Sequence, residues 1–91
     1  MYIRRVTDQT SNIAAAILRL TAERGPDRSI CPSEVARDLT DDWRPLLGPV
    51  RREAARLAES GRIDILRKGK PIAPADLRGV IRLRARPPER E

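Results

Sequence analysis

The chain has 91 residues, a formal net charge of +6 and no Phe, with Tyr2 and Trp43 as its only aromatic residues, so it holds one small domain whose core is built from Leu, Ile, Val and Ala. The absence of His removes Cys/His zinc sites and His-based catalytic triads, and the single cysteine, Cys31, removes an intramolecular disulfide. MYIRRVTDQT has no apolar leader segment, and no apolar run approaches the ~20 residues of a membrane span, so a cytoplasmic location is the expectation.

Charge divides the chain unevenly. Residues 1–59 carry ten Arg against nine Asp or Glu, whereas residues 60–91 carry nine Lys or Arg against four. A basic C-terminal third points to an anionic partner, with nucleic acid the usual one. Arg outnumbers Lys seventeen to two; a high-GC coding bias explains that preference but not the clustering.

Residues 1–9 read as a flexible polar tail with a short apolar anchor at Ile3 and Val6, and residues 87–91 (PPERE) as a second flexible tail. A first helix is predicted over residues 11–24. Ile13, Ile17 and Leu20 recur at i, i+4 and i+7, with Ala14, Leu18 and Thr21 beside them, and make one apolar face. Thr10 or Ser11 can cap its start, and Gly25-Pro26 ends it.

Residues 29–31 read as a strand fragment. Cys31 takes an N-cap position, Pro32 stands at N1 and Glu34 lies in the first turn, so a short second helix is predicted over residues 32–39 with Val35, Ala36 and Leu39 inward. Thr40-Asp41-Asp42 makes a polar turn. Trp43, Leu46, Leu47, Val50, Ala54, Leu57 and Ala58 then trace the apolar stripe of a third helix that Gly61 stops. Pro45 suits a first turn, but Pro49 has no N–H to offer the carbonyl of residue 45. Either the helix is distorted there or a separate turn covers residues 43–47; a continuous, distorted helix is the expectation.

After Gly61 the apolar period falls from 3.6 to 2. Residues 62–66 read as a strand, RKGKP as a turn, residues 71–79 as a loop with one helical turn over 74–77, and residues 80–86 as a second strand that pairs with the first.

Helix, strand fragment, helix, tight turn, helix and terminal hairpin together predict an α+β winged helix-turn-helix. This is a three-helix core with a small antiparallel β-hairpin wing, in a single domain over residues 1–91. Residues 29–31 can pair with the hairpin and close its open edge. The segments SICPSEVARDL, DDWRPLLGPVRREAARLAESGRIDILRKGKPI and RGVIRL resemble the bacterial family known as domain of unknown function 3253, over about residues 13–85. That resemblance implies a small winged-helix-like protein with no established activity.

In a helix-turn-helix the start of the third helix meets the major groove. Arg44 and Arg51 are seven apart and share a face. Arg52 and Arg56 form a like-charge pair four apart, and Glu53 and Glu59, each three from Arg56, can neutralise the latter. Arg44, Arg51 and Arg52 are therefore the nucleic-acid-binding candidates on this element, since a guanidinium forks onto phosphate or onto guanine. The competing explanation is a solvated helix face laced with ion pairs. Arg67, Lys68 and Lys70 around Gly69 are the wing candidates, suited to phosphate contacts; otherwise they are an edge-protecting basic turn. Arg62, Arg82, Arg84 and Arg86 extend the basic surface along the same hairpin.

Cys31 has no His to act as its base and reads as a small buried residue with a capping thiol, a redox role being the alternative. Trp43 opens an apolar stripe and reads as a core anchor, the alternative being stacking on a base or partner. Asp41 and Asp42 have no second ligand cluster and read as turn or cap residues. The favoured reading is a winged helix that binds double-stranded DNA through its third helix and basic wing, as a transcriptional regulator. The alternative is a winged-helix module for protein–protein interaction or homodimerisation. No catalytic residue, metal or cofactor is expected, since the sequence offers no nucleophile–base pair, metal cluster or phosphate loop.

Overall fold

The structure, a computed structural model, describes the backbone of residues 5–86 and the side chains of residues 10–86. The expected tail residues 1–4, with Ile3, and 87–91 lie outside the described residues, as does the side chain of Val6. Helix α1 spans Arg5–Arg24. Residues 5–9 are therefore helical rather than a loose tail, and Thr10 and Ser11 lie inside the helix instead of capping it. The segment holds no Gly or Pro, and polar residues extend a helix readily once the following turns are anchored. Those anchors are Ile13, Ala16 and Ile17, all buried. Buried Thr21 satisfies its hydroxyl by donating to the Ile17 carbonyl at 2.7 Å.

Helix α2, Pro32–Leu39, has the predicted limits. Cys31 is its N-cap in extended conformation, and the Cys31 N–H donates to Glu34 Oε2 at 3.0 Å. One donor left over at the helix start is thus satisfied by a side chain in its first turn. Val35 and Ala36 are buried and Leu39 packs against the core from its edge.

A 3-10 turn, Arg44–Leu46, runs directly into helix α3, Leu47–Glu59. This is the separate turn of the two alternatives, in place of the expected continuous helix distorted at Pro49. With α3 beginning at Leu47, Pro49 falls among the first four residues, whose N–H groups have no intrahelical acceptor. Val50, Ala54 and Leu57 then face the core. At the other end Gly61, with φ +81, donates to the Ala58 carbonyl at 3.0 Å while Arg62 donates to the Leu57 carbonyl at 2.9 Å. This paired closure needs a left-handed residue, which is why glycine stands there.

Three antiparallel strands follow: β1, Ile63–Arg67; β2, Lys70–Ile72; and β3, Arg82–Ala85. Their order is β2-β1-β3. The sheet corrects the expected two-stranded hairpin. Strand β1 does pair with the C-terminal strand, Ile65 facing Leu83, but its other edge pairs with β2, Ile65 facing Ile72. Between β1 and β2 lies a two-residue turn, Lys68-Gly69, with φ +54 and +81. Two successive left-handed residues match the twist of a tight hairpin. The loop after β2 contains a 3-10 turn, Pro74–Asp76, where a helical turn was predicted. Ile30 forms an isolated bridge with Leu83, so residues from before α2 extend the sheet beyond β3 as expected.

One core joins these layers. Ile13 and Ile17 of α1, Val35 of α2, Val50 of α3, Ile63 and Ile65 of β1, and Ile30, Ile81 and Leu83 are all buried in it. Each contributes roughly 1.5–3 kcal/mol of burial relative to an exposed side chain. Trp43 packs on its margin. No helix among the described residues is long and apolar enough to cross a membrane.

Candidate nucleic-acid interface

The cations of the fold divide into those with protein partners and those without. On β3 the arginines are engaged. Arg84 reaches Asp64 across the strand pair at 2.8 Å, and Arg86 reaches the other oxygen of the same carboxylate at 2.9 Å. Arg82 donates to Ser29 Oγ at 2.6 Å and to the Ser29 carbonyl at 3.0 Å. Glu34 lies 4.0 Å from Arg82 and 2.7 Å from Arg24. The expected basic extension along the hairpin is therefore in large part paired within the protein, although Arg62, Arg82 and Arg86 stay exposed. Arg82 ties β3 to the start of α2, and Arg84 and Arg86 tie β3 to β1.

Burial alone would push the carboxyls of Asp64 and Glu34 up, but their partners prevail. Arg84 and Arg86 hold Asp64 below the ordinary carboxylate range. The Cys31 N–H and Arg24 do the same for Glu34.

The same division runs through α3. Arg56 donates through Nε to Glu53 Oε2 at 3.0 Å, the neutralisation expected from their spacing, and the Glu53 carboxylate raises the pKa of Arg56. Arg51 and Arg52 make no ion pair among the described residues. Arg52 is exposed, and its guanidinium lies back along the helix. A Cβ placed on Gly48 would come within 3.5 Å of one of its nitrogens. Arg44 is not on α3. It stands on the 3-10 turn, and its guanidinium carbon lies 4.6 Å from the centroid of the Trp43 ring. Arg37, from the last turn of α2, lies 4.5 Å from the same centroid. Sequence reasoning passed over Arg37. Its meeting with Trp43 depends on how the intervening turn folds, and no local periodicity encodes that.

The four residues RKGK are not equivalent either. Arg67 is half-buried, and its Nη1 donates to the carbonyls of Asp76 and Arg78 at 3.3 and 3.4 Å. Its role is to hold the loop after β2 against the end of β1. Lys68 and Lys70 are exposed and have no carboxylate partner among the described residues. Lys70 faces Arg67 in register, two positions beyond the Ile65–Ile72 pair. Alternation therefore places Arg67 and Lys70 on the sheet face that packs on the helices.

Asp41 and Asp42 are exposed in the turn after α2, where Asp42 N–H donates to Thr40 Oγ1 at 3.3 Å. The Cys31 thiol is partly buried and accepts a hydrogen bond from Ser33 Oγ at 3.2 Å.

These elements define an α+β domain of three helices and a three-stranded antiparallel sheet, compatible with a winged helix and carrying, on α3 and at the hairpin tip, cations with no ion-pair partner among the described residues. The chain belongs to the family described as Protein of unknown function (DUF3253), which matches residues 10–86. A comparison with curated proteins finds no match.

Proposed function

We propose that this protein is a winged helix that binds double-stranded DNA and acts as a transcriptional regulator rather than as an enzyme. In this reading, α2 and the segment from the 3-10 turn through α3 are the helix-turn-helix, Ile30, β3 and β1 are its sheet, and the β1–β2 hairpin is the wing. Arg51 and Arg52 approach the groove or its rims, Arg44 touches the backbone, and Lys68 and Lys70 contact phosphate. Arg67 supports the wing from within.

The observation that carries the proposal is the exposed tip itself. A two-residue turn with both residues left-handed holds Lys68 and Lys70 at the tip, with no carboxylate among the described residues to neutralise them. The surface also favours DNA over a docked protein. Val80 is the one large hydrophobic residue found exposed among the described residues, at 85%. A stable protein interface takes a contiguous apolar patch of a few hundred Å² or more.

Fluorescence anisotropy with a random-sequence duplex across a salt series tests the proposal. Affinity should fall with a log–log slope of about −0.9 per phosphate contacted. Absence of binding at low salt would overturn it. A dimer in sedimentation without duplex binding would support the protein-interaction alternative.

A further inference from the structure

We infer that Arg37, Trp43 and Arg44 form a clip for one phosphate of the duplex backbone, at the turn between α2 and α3. The inference rests on the DNA-binding reading above and adds a contact from outside the third helix and wing. Arg37 and Arg44 come from different elements, yet their guanidinium carbons lie 4.5 and 4.6 Å from the centroid of one indole. Neither has a carboxylate within ion-pair distance among the described residues. Two like charges are thus drawn to one ring, whose quadrupole attracts each.

Stacking occupies the face of a guanidinium and leaves its N–H donors in the plane free. An oxyanion that accepts from both arginines completes the hydrogen bonding and neutralises the repulsion between them. The clip is preorganised because the indole packs against the core. Asp41 and Asp42, exposed just before Trp43, oppose an incoming anion. The two carboxylates weaken the contact.

Trp43 is the only tryptophan, so its emission reports on this place alone. The full chain is titrated with a random-sequence duplex, following anisotropy of the labelled DNA and tryptophan emission together. The expected result is an emission change with the same midpoint as the anisotropy. Arg37→Ala should weaken binding roughly tenfold and lower the salt slope by up to about 0.9. Arg37→Lys, which keeps the charge but not the planar fork, should keep the slope and lose part of the affinity. Asp41→Asn with Asp42→Asn should tighten binding. Duplex binding with unchanged emission and an Arg37→Ala variant of full affinity and slope would overturn the clip and leave the DNA reading standing. No duplex binding at low salt would overturn both. Arg37 is exposed, and circular dichroism of its variants checks that they remain folded.

Discussion

Ile30 and Leu83 exchange both of their backbone hydrogen bonds, each N–H donating to the other's carbonyl at 2.8 Å. Both side chains are fully buried. A segment that precedes α2 is thereby joined to the last strand, and the joint lies inside the core rather than on its surface.

Leu83→Ala should therefore destabilise the fold by about 2–5 kcal/mol, the cost of an emptied core position that cannot collapse freely. Denaturant unfolding with an unchanged slope and a lowered midpoint is the expected result. A midpoint equal to that of the parent would mean that β3 does not complete the core.

Acid should loosen the β1–β3 pairing and the start of α2, where the two depressed carboxylates lie. The folded pKa values of Asp64 and Glu34 lie below their ordinary ones. Their pairing thus stabilises the fold fully above the ordinary carboxylate pKa of about 4, and that stabilisation is lost as pH falls through the depressed folded values. Asp64→Asn should cost roughly 1–2 kcal/mol near neutrality, by unpairing Arg84 and Arg86. It should also make stability fall less steeply below about pH 5. An acid limb as steep as the parent's would argue against the Asp64 pairing.

Charge and conformation can be separated at the hairpin tip. Lys68 holds φ +54, a conformation that Asn tolerates better than Lys. Lys68→Asn should leave the thermal midpoint unchanged or slightly raised while weakening duplex binding and lowering its salt slope by up to about 0.9. Unchanged binding would remove Lys68 from the contact set.

Arg67→Ala should act differently from its neighbours. Its guanidinium is bonded to the carbonyls of Asp76 and Arg78, so the variant should speed amide hydrogen exchange in the loop after β2. The salt slope of duplex binding should change less than for Lys68→Asn. A larger slope change, with loop exchange unaltered, would make Arg67 a phosphate contact after all.

The residues that chain periodicity could place were placed well. Cys31-Pro32 and Leu39 bound α2 because cap, proline and apolar spacing agree locally. Gly61 ends α3 for an equally local reason. Strand β2 escaped notice because Lys70-Pro71-Ile72 is short and its proline reads as a loop. Its tolerance there follows from its position on the edge of the sheet. The start of α1 at Arg5 is not legible in the sequence because polar residues carry no periodic signal. Pro49 left open a distorted helix or a separate turn, and the structure has the turn, with α3 starting at Leu47 so that Pro49 lies in its first turn.

Within the candidate site, charge was legible and partnership was not. The sequence shows that Arg82, Arg84 and Arg86 alternate along a strand, but their acceptors Ser29 and Asp64 lie 53, 20 and 22 positions away. Which arginines are paired within the protein is decided by tertiary structure. The spacing of Glu53 and Arg56, one turn apart, made that pair readable at once.

The Ile30–Leu83 bridge also bears on the order in which the molecule assembles. A nascent chain extended only to residue 80 already contains all three helices and both arms of the tight hairpin. It lacks Ile81 and Leu83, so Ile30 has no backbone partner and β1 is bare along one edge. Docking of β3 supplies the missing side chains, the bridge and the arginine contacts with Asp64 and Ser29 together. That docking is a long-range closure of the chain on itself. Such a closure costs chain entropy before its contacts reward it, which local helix formation does not.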